Sequence, residues 1–231
     1  MKRSKLYKAR SAVFDRQTAY PLEEGIRLLK EMPAAKFDET VELAFNLGID
    51  PRQSDQIVRG AMVLPKGTGK TTRVVVIAEG QAAQDAMQAG ADEVGFEEII
   101  ERIKGGWLDF DVLIATPDAM RQVRTLGRTL GPRGLMPNPK TGTVTEQPGD
   151  AVREAKAGRV EYRCDRTGCV HVPIGKVSFE HEALLENAMA VTNTILRSRP
   201  ASAKGVYVQS MTLSATMSPG IRLDARTLAK A

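Results

Sequence analysis

The chain has 231 residues, 42% of them hydrophobic and 26% charged, which suits one large domain or two modest ones and excludes a largely disordered protein. A net charge of +5 and a pI near 9.3 favour polyanionic partners, of which nucleic acid is the commonest in a cell. No apolar run reaches the ~20 residues needed to span a bilayer, the first residues lack the apolar core of a secretory signal, and two cysteines exclude a disulfide framework and fit a reducing compartment.

Lys2, Arg3, Lys5, Lys8 and Arg10 form a basic start free of acids, readable either as a phosphate-binding arm or as a solvated tail. Leu22, Ile26, Leu29 and Met32 follow at helical spacing, and Pro33 stops the pattern. From Thr40 the period changes to two, with Val41, Leu43, Phe45, Leu47 and Ile49 on one face, as in a half-buried strand. Asp50-Pro51 breaks it, and a second apolar segment runs from Gln56 to Leu64.

Pro65 to Lys70, rich in Gly and Lys, reads as a linker or hinge. Beyond it strands and helices alternate: strand Arg73–Ala78, helix Ala82–Ala89, a short strand near Asp92–Val94, helix Phe96–Lys104, strand Val112–Thr116, and a helix opening at Pro117 with Asp118 as N-cap. Such alternation predicts a small parallel-sheet α/β layer. A further helix, Asp150–Ala157, ends at Gly158, a natural C-cap. Two extended segments, Arg159–Cys164 and Cys169–Pro173, then flank Asp165 to Gly168 as a hairpin, before a helix from about His181 to Arg197 and a strand at Tyr207–Ser214.

The pattern predicts an α+β domain split in two, residues 1–67 and 158–231, with an α/β, Rossmann-like domain of residues 68–157 inserted through a two-stranded hinge at Gly67, Gly69 and Gly158.

Catalytic apparatus is hard to find. Lys66 to Thr72 looks like a phosphate-binding loop and raises the alternative of a nucleotide-dependent enzyme, but the full pattern needs Gly where Leu64 stands, and a strand, not a helix, follows. Cys164, Cys169, His171 and His181 fall within eighteen residues, yet lack the tight Cys pairs of a structural zinc site; no metal and no cofactor is expected. Asp109 and Asp111 flank Phe110 before a strand, where acids are usually solvated turn residues. The run from Ala119 to Thr145 contains no acid and combines a basic helix with a Gly/Pro-rich loop. That composition suits phosphate contact, and equally a solvated helix face followed by a rigid loop.

Within that run, Leu126-Gly127-Arg128-Thr129-Leu130-Gly131-Pro132-Arg133-Gly134-Leu135-Met136-Pro137-Asn138-Pro139-Lys140 resembles the signature of the L-one family, the large-subunit ribosomal proteins of the mobile stalk beside the tRNA exit site. The segments 36–42, 46–52, 58–60, 64–70, 165–168, 171–176 and 216–220 look like further family motifs in family order, so the resemblance runs from about Tyr7 to Leu223. It implies a cytoplasmic protein, monomeric outside the ribosome, that binds large-subunit rRNA, assists release of deacylated exit-site tRNA, and represses translation by binding its own operon mRNA. The implied rRNA surface comprises Lys36, Phe37 and Thr40; Asp165, Arg166, Thr167, Gly168 and His171; and Thr216, Met217, Ser218 and Pro219. Arg128, Arg133 and Lys140 are implied secondary contacts, to RNA or across the domain cleft. The family commonly has Lys where this chain has Arg166, and Gly where it has Ser218, a position at which Gly would permit positive φ or close RNA approach.

Overall fold

A computed structural model describes residues 3–225, which fall into two compact units, 3–69 with 160–225, and 70–159. In the first unit, helices α1 (Lys5–Ser11) and α2 (Leu22–Glu31) precede strands β1 (Thr40–Leu47) and β2 (Arg59–Val63). The second unit follows with β3 (Val74–Ile77), α3 (Gly80–Gln88), β4 (Glu93–Gly95), α4 (Glu97–Lys104), β5 (Val112–Ala115), α5 (Met120–Val123), α6 (Gly127–Leu130) and α7 (Pro148–Lys156). The chain then returns through β6 (Arg159–Arg163) to β7 (Cys169–Lys176), α8 (His181–Arg197), β8 (Val208–Ala215) and β9 (Ile221–Leu223).

The first unit is built on an antiparallel sheet in the order β7-β1-β8-β9. The alternation read from β1 decides its orientation: Val41, Leu43, Phe45 and Leu47 point into the core, where they meet Ile26 and Leu29 of α2 and Leu184, Ala188, Val191 and Ile195 of α8. The core therefore lies on one side of the sheet. The other side carries short polar side chains, including Asn46, Ser210, Thr212 and Ser214, and the exposed His171 and Arg222.

The second unit contains the parallel sheet expected from the alternation, in the order β4-β3-β5. All four residues of β3 are buried, because helices cover both faces. Ala86, Ala151, Val152 and Ala155 pack on Val74, Val76 and Ile114 from one side; Ile99, Ile103, Val123, Leu126 and Leu130 pack on Val75, Ile77, Leu113 and Ala115 from the other.

Several expectations need correction. Lys2 lies outside the described residues; from Lys5 the basic start is helical instead of an extended arm or tail, with Ser4 accepting the Tyr7 N–H, and Arg10 is buried while Arg3, Lys5 and Lys8 are exposed. β6 and β7 turn sharply at Asp165 to Gly168 but do not pair as a hairpin, since β6 joins β2 while β7 joins β1. Asp118 does not cap the next helix; the Thr116 hydroxyl accepts the Ala119 N–H at 3.4 Å instead, and the helix is broken into α5, a 3-10 turn at Arg124–Leu126, and α6. Asp109 and Asp111 are not merely solvated: Asp109 pairs with Arg73 at 2.5 Å, while Asp111 accepts from Lys70 at 2.5 Å and from the Arg73 N–H at 3.0 Å.

Candidate nucleic-acid interface

The segment before β1 and the loop after β8 are brought together because β1 and β8 are antiparallel neighbours. The Thr40 N–H donates to the Thr216 hydroxyl at 3.1 Å, and the Thr216 N–H returns a bond to the Thr40 carbonyl at 3.1 Å. Lys176 donates to the Thr40 hydroxyl at 2.9 Å. Beside this junction Glu39 accepts the Met217 N–H at 2.8 Å on Oε1, the oxygen that also accepts from Arg10 Nη1 at 2.9 Å. Arg10 completes a bidentate pair at 2.6 Å to Oε2 and uses its Nε–H on the Pro33 carbonyl. The Arg10 guanidinium, more than the Met217 N–H, holds the Glu39 carboxyl below the usual carboxylate range, against the opposing effect of burial.

On this fixed base two apolar side chains face outward, Phe37 at 53% exposure and Met217 at 54%. Burying such surface is favourable, so their exposure is a cost to the isolated protein that a partner could recover. Lys36 is exposed nearby in sequence, with no ionic or hydrogen-bonded partner among the described residues. Pro219 is buried and shapes the loop from within. Ser218 accepts the Ala215 N–H at 2.8 Å, and since no described non-glycine residue has positive φ, it sits here without left-handed strain.

The Asp165 turn is organised by its own acid. Asp165 Oδ1 accepts the N–H groups of Thr167 and Cys169, both at 2.8 Å, and the Thr167 hydroxyl at 2.7 Å. Those bonds, the Thr167 hydroxyl first, hold the Asp165 carboxyl below the usual range. Gly168 is required: its φ is +82°, and a Cβ there would lie 3.0 Å from the Leu47 carbonyl oxygen. Arg166 and Thr167 are consequently displayed outward. His171 lies farther along β7, opposite Ala44, on the open face of the sheet.

Cys164 is buried and Cys169 half-buried, both as free thiols, and His181 Nε2 meets the Glu23 carbonyl at 3.2 Å. In the second unit Arg128, Arg133 and Lys140 are exposed, while Leu126 and Leu130 anchor the same run in the core. Asn138 fixes the following loop, donating its N–H to Thr143 at 2.8 Å and accepting from the Lys140 N–H at 2.8 Å. The crevice at the C-terminal ends of β3 and β5, where an open parallel sheet usually takes its ligand, is lined by Glu79, Asp118 and Glu146. Three carboxylates there oppose a nucleotide phosphate. Lys66 to Thr72 contains no helix whose N-terminus would hold phosphate.

Sequence reading missed two parts of this surface. The Arg10–Glu39 bond joins residues 29 apart, which no local pattern announces. The open face around Ser210, Thr212 and Arg222 was legible in part, as the polar half of β8's alternation, but its neighbours depend on sheet order.

The chain belongs to the ribosomal protein L1p/L10e family, whose model matches residues 29–219. Over 226 residues it is 57% identical to the large ribosomal subunit protein uL1 of Methylobacillus flagellatus, with 98% of each chain covered. This membership places it among bacterial large-subunit ribosomal proteins, located in the cytoplasmic ribosome.

Proposed function

We propose that the chain binds folded large-subunit rRNA through the first unit, without catalysis or cofactor. The observation that carries this reading is the junction of the 36–40 segment with the 216–219 loop, which holds Phe37 and Met217 exposed on a rigid, hydrogen-bonded base. Phe37 and Met217 supply surfaces for bases or sugars, Lys36 and Arg166 meet phosphates, and Thr40, Thr167 and Thr216 offer hydroxyls to ribose. Asp165, Gly168, Ser218 and Pro219 set the shape of these loops, with His171 a donor beyond them. Gly67, Gly69 and Gly158, all at positive φ, serve as the hinge of an inserted domain. Arg128, Arg133 and Lys140 make secondary contacts. In the ribosome the protein assists release of deacylated tRNA from the exit site, and off it binds a similar fold in its own operon mRNA and represses translation.

Phe37→Ala is expected to weaken binding to a folded stalk rRNA fragment by about 1–3 kcal/mol, the usual worth of one aromatic–base stack, and to leave binding to unstructured RNA unchanged in gel-shift titrations. Equal losses on both RNAs would remove Phe37 from the interface. Lys36→Met is expected to lower the slope of log K against log salt by about 0.7–0.9, one phosphate's share. An unchanged slope would show that Lys36 meets no phosphate.

A further inference from the structure

The open face of the four-stranded sheet ends at β9 in a hollow of about 470 Å³ lined by Arg16, Ser210, Thr212, Gly220 and Arg222. We infer that this hollow is a phosphodiester site, holding the rRNA backbone where it leaves the Thr216–Pro219 loop and crosses the sheet. The inference rests on the rRNA reading above and extends it to residues outside that surface.

Charge is the first reason. Two arginines line the hollow and no acid does. Among the described residues neither the Arg16 nor the Arg222 side chain has a hydrogen-bonded or ionic partner; the Arg222 backbone carbonyl accepts the Tyr20 N–H at 2.9 Å. The adjacent Asp15 accepts from the Gln17 N–H and the Thr18 hydroxyl, both at 3.0 Å, within its own turn. Glu42, an acid on this sheet face, is opposite Ser214, in a different ladder row from Arg222, and Asp224, two residues on from Arg222, does not line the hollow.

Chemistry is the second. Guanidinium forks grip phosphate oxygens bidentately, and the Ser210 and Thr212 hydroxyls can pair with a phosphate oxygen or a ribose 2′-OH. Gly220 keeps its corner of the hollow low: a Cβ there would come within 2.7 Å of Thr212 Cγ2.

Continuity is the third. Gly220 directly follows Pro219. One ladder row runs Arg222, Thr212, Ala44, His171 across the four strands, so the hollow and His171 face the same side about 14 Å apart, three strand spacings. The core helices lie on the opposite side of the sheet, leaving this row uncovered by either.

The test is rRNA titration across a salt series with the full chain and the variants R16A, R222A, R16A/R222A and the charge-retaining R16K/R222K. The double alanine variant is expected to weaken folded-fragment binding about tenfold and to lower the salt slope by about one unit, with R16K/R222K restoring the slope. Both side chains are exposed, so unfolding curves should overlay the parent's; should the double variant fold poorly, the single variants, each weaker than the parent, carry the same comparison. A slope unchanged in the alanine variants, while the parent binds and Phe37→Ala still weakens it, overturns the hollow and leaves the main interface standing. Failure of the parent to prefer the folded fragment overturns the rRNA reading itself.

Discussion

Arg10→Met is expected to destabilise the first unit by about 3–5 kcal/mol, the usual cost of leaving one partner of a buried ion pair uncompensated. Arg10 and Glu39 side chains are 2% and 4% exposed, so water cannot replace the lost guanidinium. The pH dependence identifies the cause. In the parent the Glu39 carboxyl is held low, chiefly by Arg10, so the pair's contribution is complete above the ordinary carboxylate range and is lost as pH falls through the lower, folded-state value. In Arg10→Met the buried carboxylate lacks its cation and its pKa should rise, so acidification toward the ordinary range should recover stability instead of removing it. Urea unfolding of both proteins between neutral and acidic pH checks this, and parallel pH profiles would show that Glu39 does not sense Arg10. Because Glu39 also holds the Met217 N–H, the variant should loosen the 216–219 loop and reduce preference for folded RNA without changing the salt slope.

What was readable in the sequence depended on how local its cause was. β1 was legible because its four core residues alternate within eight positions, and β3 because an uninterrupted apolar run suits a strand covered on both faces. β9 was missed: Ile221-Arg222-Leu223 is too short to establish a period and exists as a strand only because β8 offers it an edge. β6 and β7 looked like a hairpin because the turn between them is real; what separates them is the choice of β2 and β1 as partners, a tertiary matter. Arg10 shows the same limit in one residue. Its charge reads as surface until a carboxylate 29 positions away is folded against it. The candidate interface divided likewise: its motifs were recognisable as strings, whereas the Thr40–Thr216 junction and the arginine-lined hollow required sheet order.

Asn187→Leu is expected to cost the first unit about 1–3 kcal/mol, because a similar volume is kept while one buried and two part-buried backbone groups lose their partners. Asn187 is fully buried in α8. Its Oδ1 accepts the Lys66 N–H at 2.9 Å, and its Nδ2 donates to the Gly67 carbonyl at 3.0 Å and the Ile174 carbonyl at 2.8 Å. The Gly-rich segment that looks flexible in sequence is thus clasped up to the Gly67 carbonyl, and Gly69 admits no side chain, since a Cβ there would lie 2.7 Å from the Phe179 ring. In the hinge proposed above Gly67 is therefore the fixed end and rotation begins beyond its carbonyl, so releasing the clasp should extend it backward. Amide exchange at Lys66 should accelerate in Asn187→Leu by more than global destabilisation alone accounts for. Exchange that merely tracks global unfolding would show that the clasp adds stability without setting where the crossing begins to move.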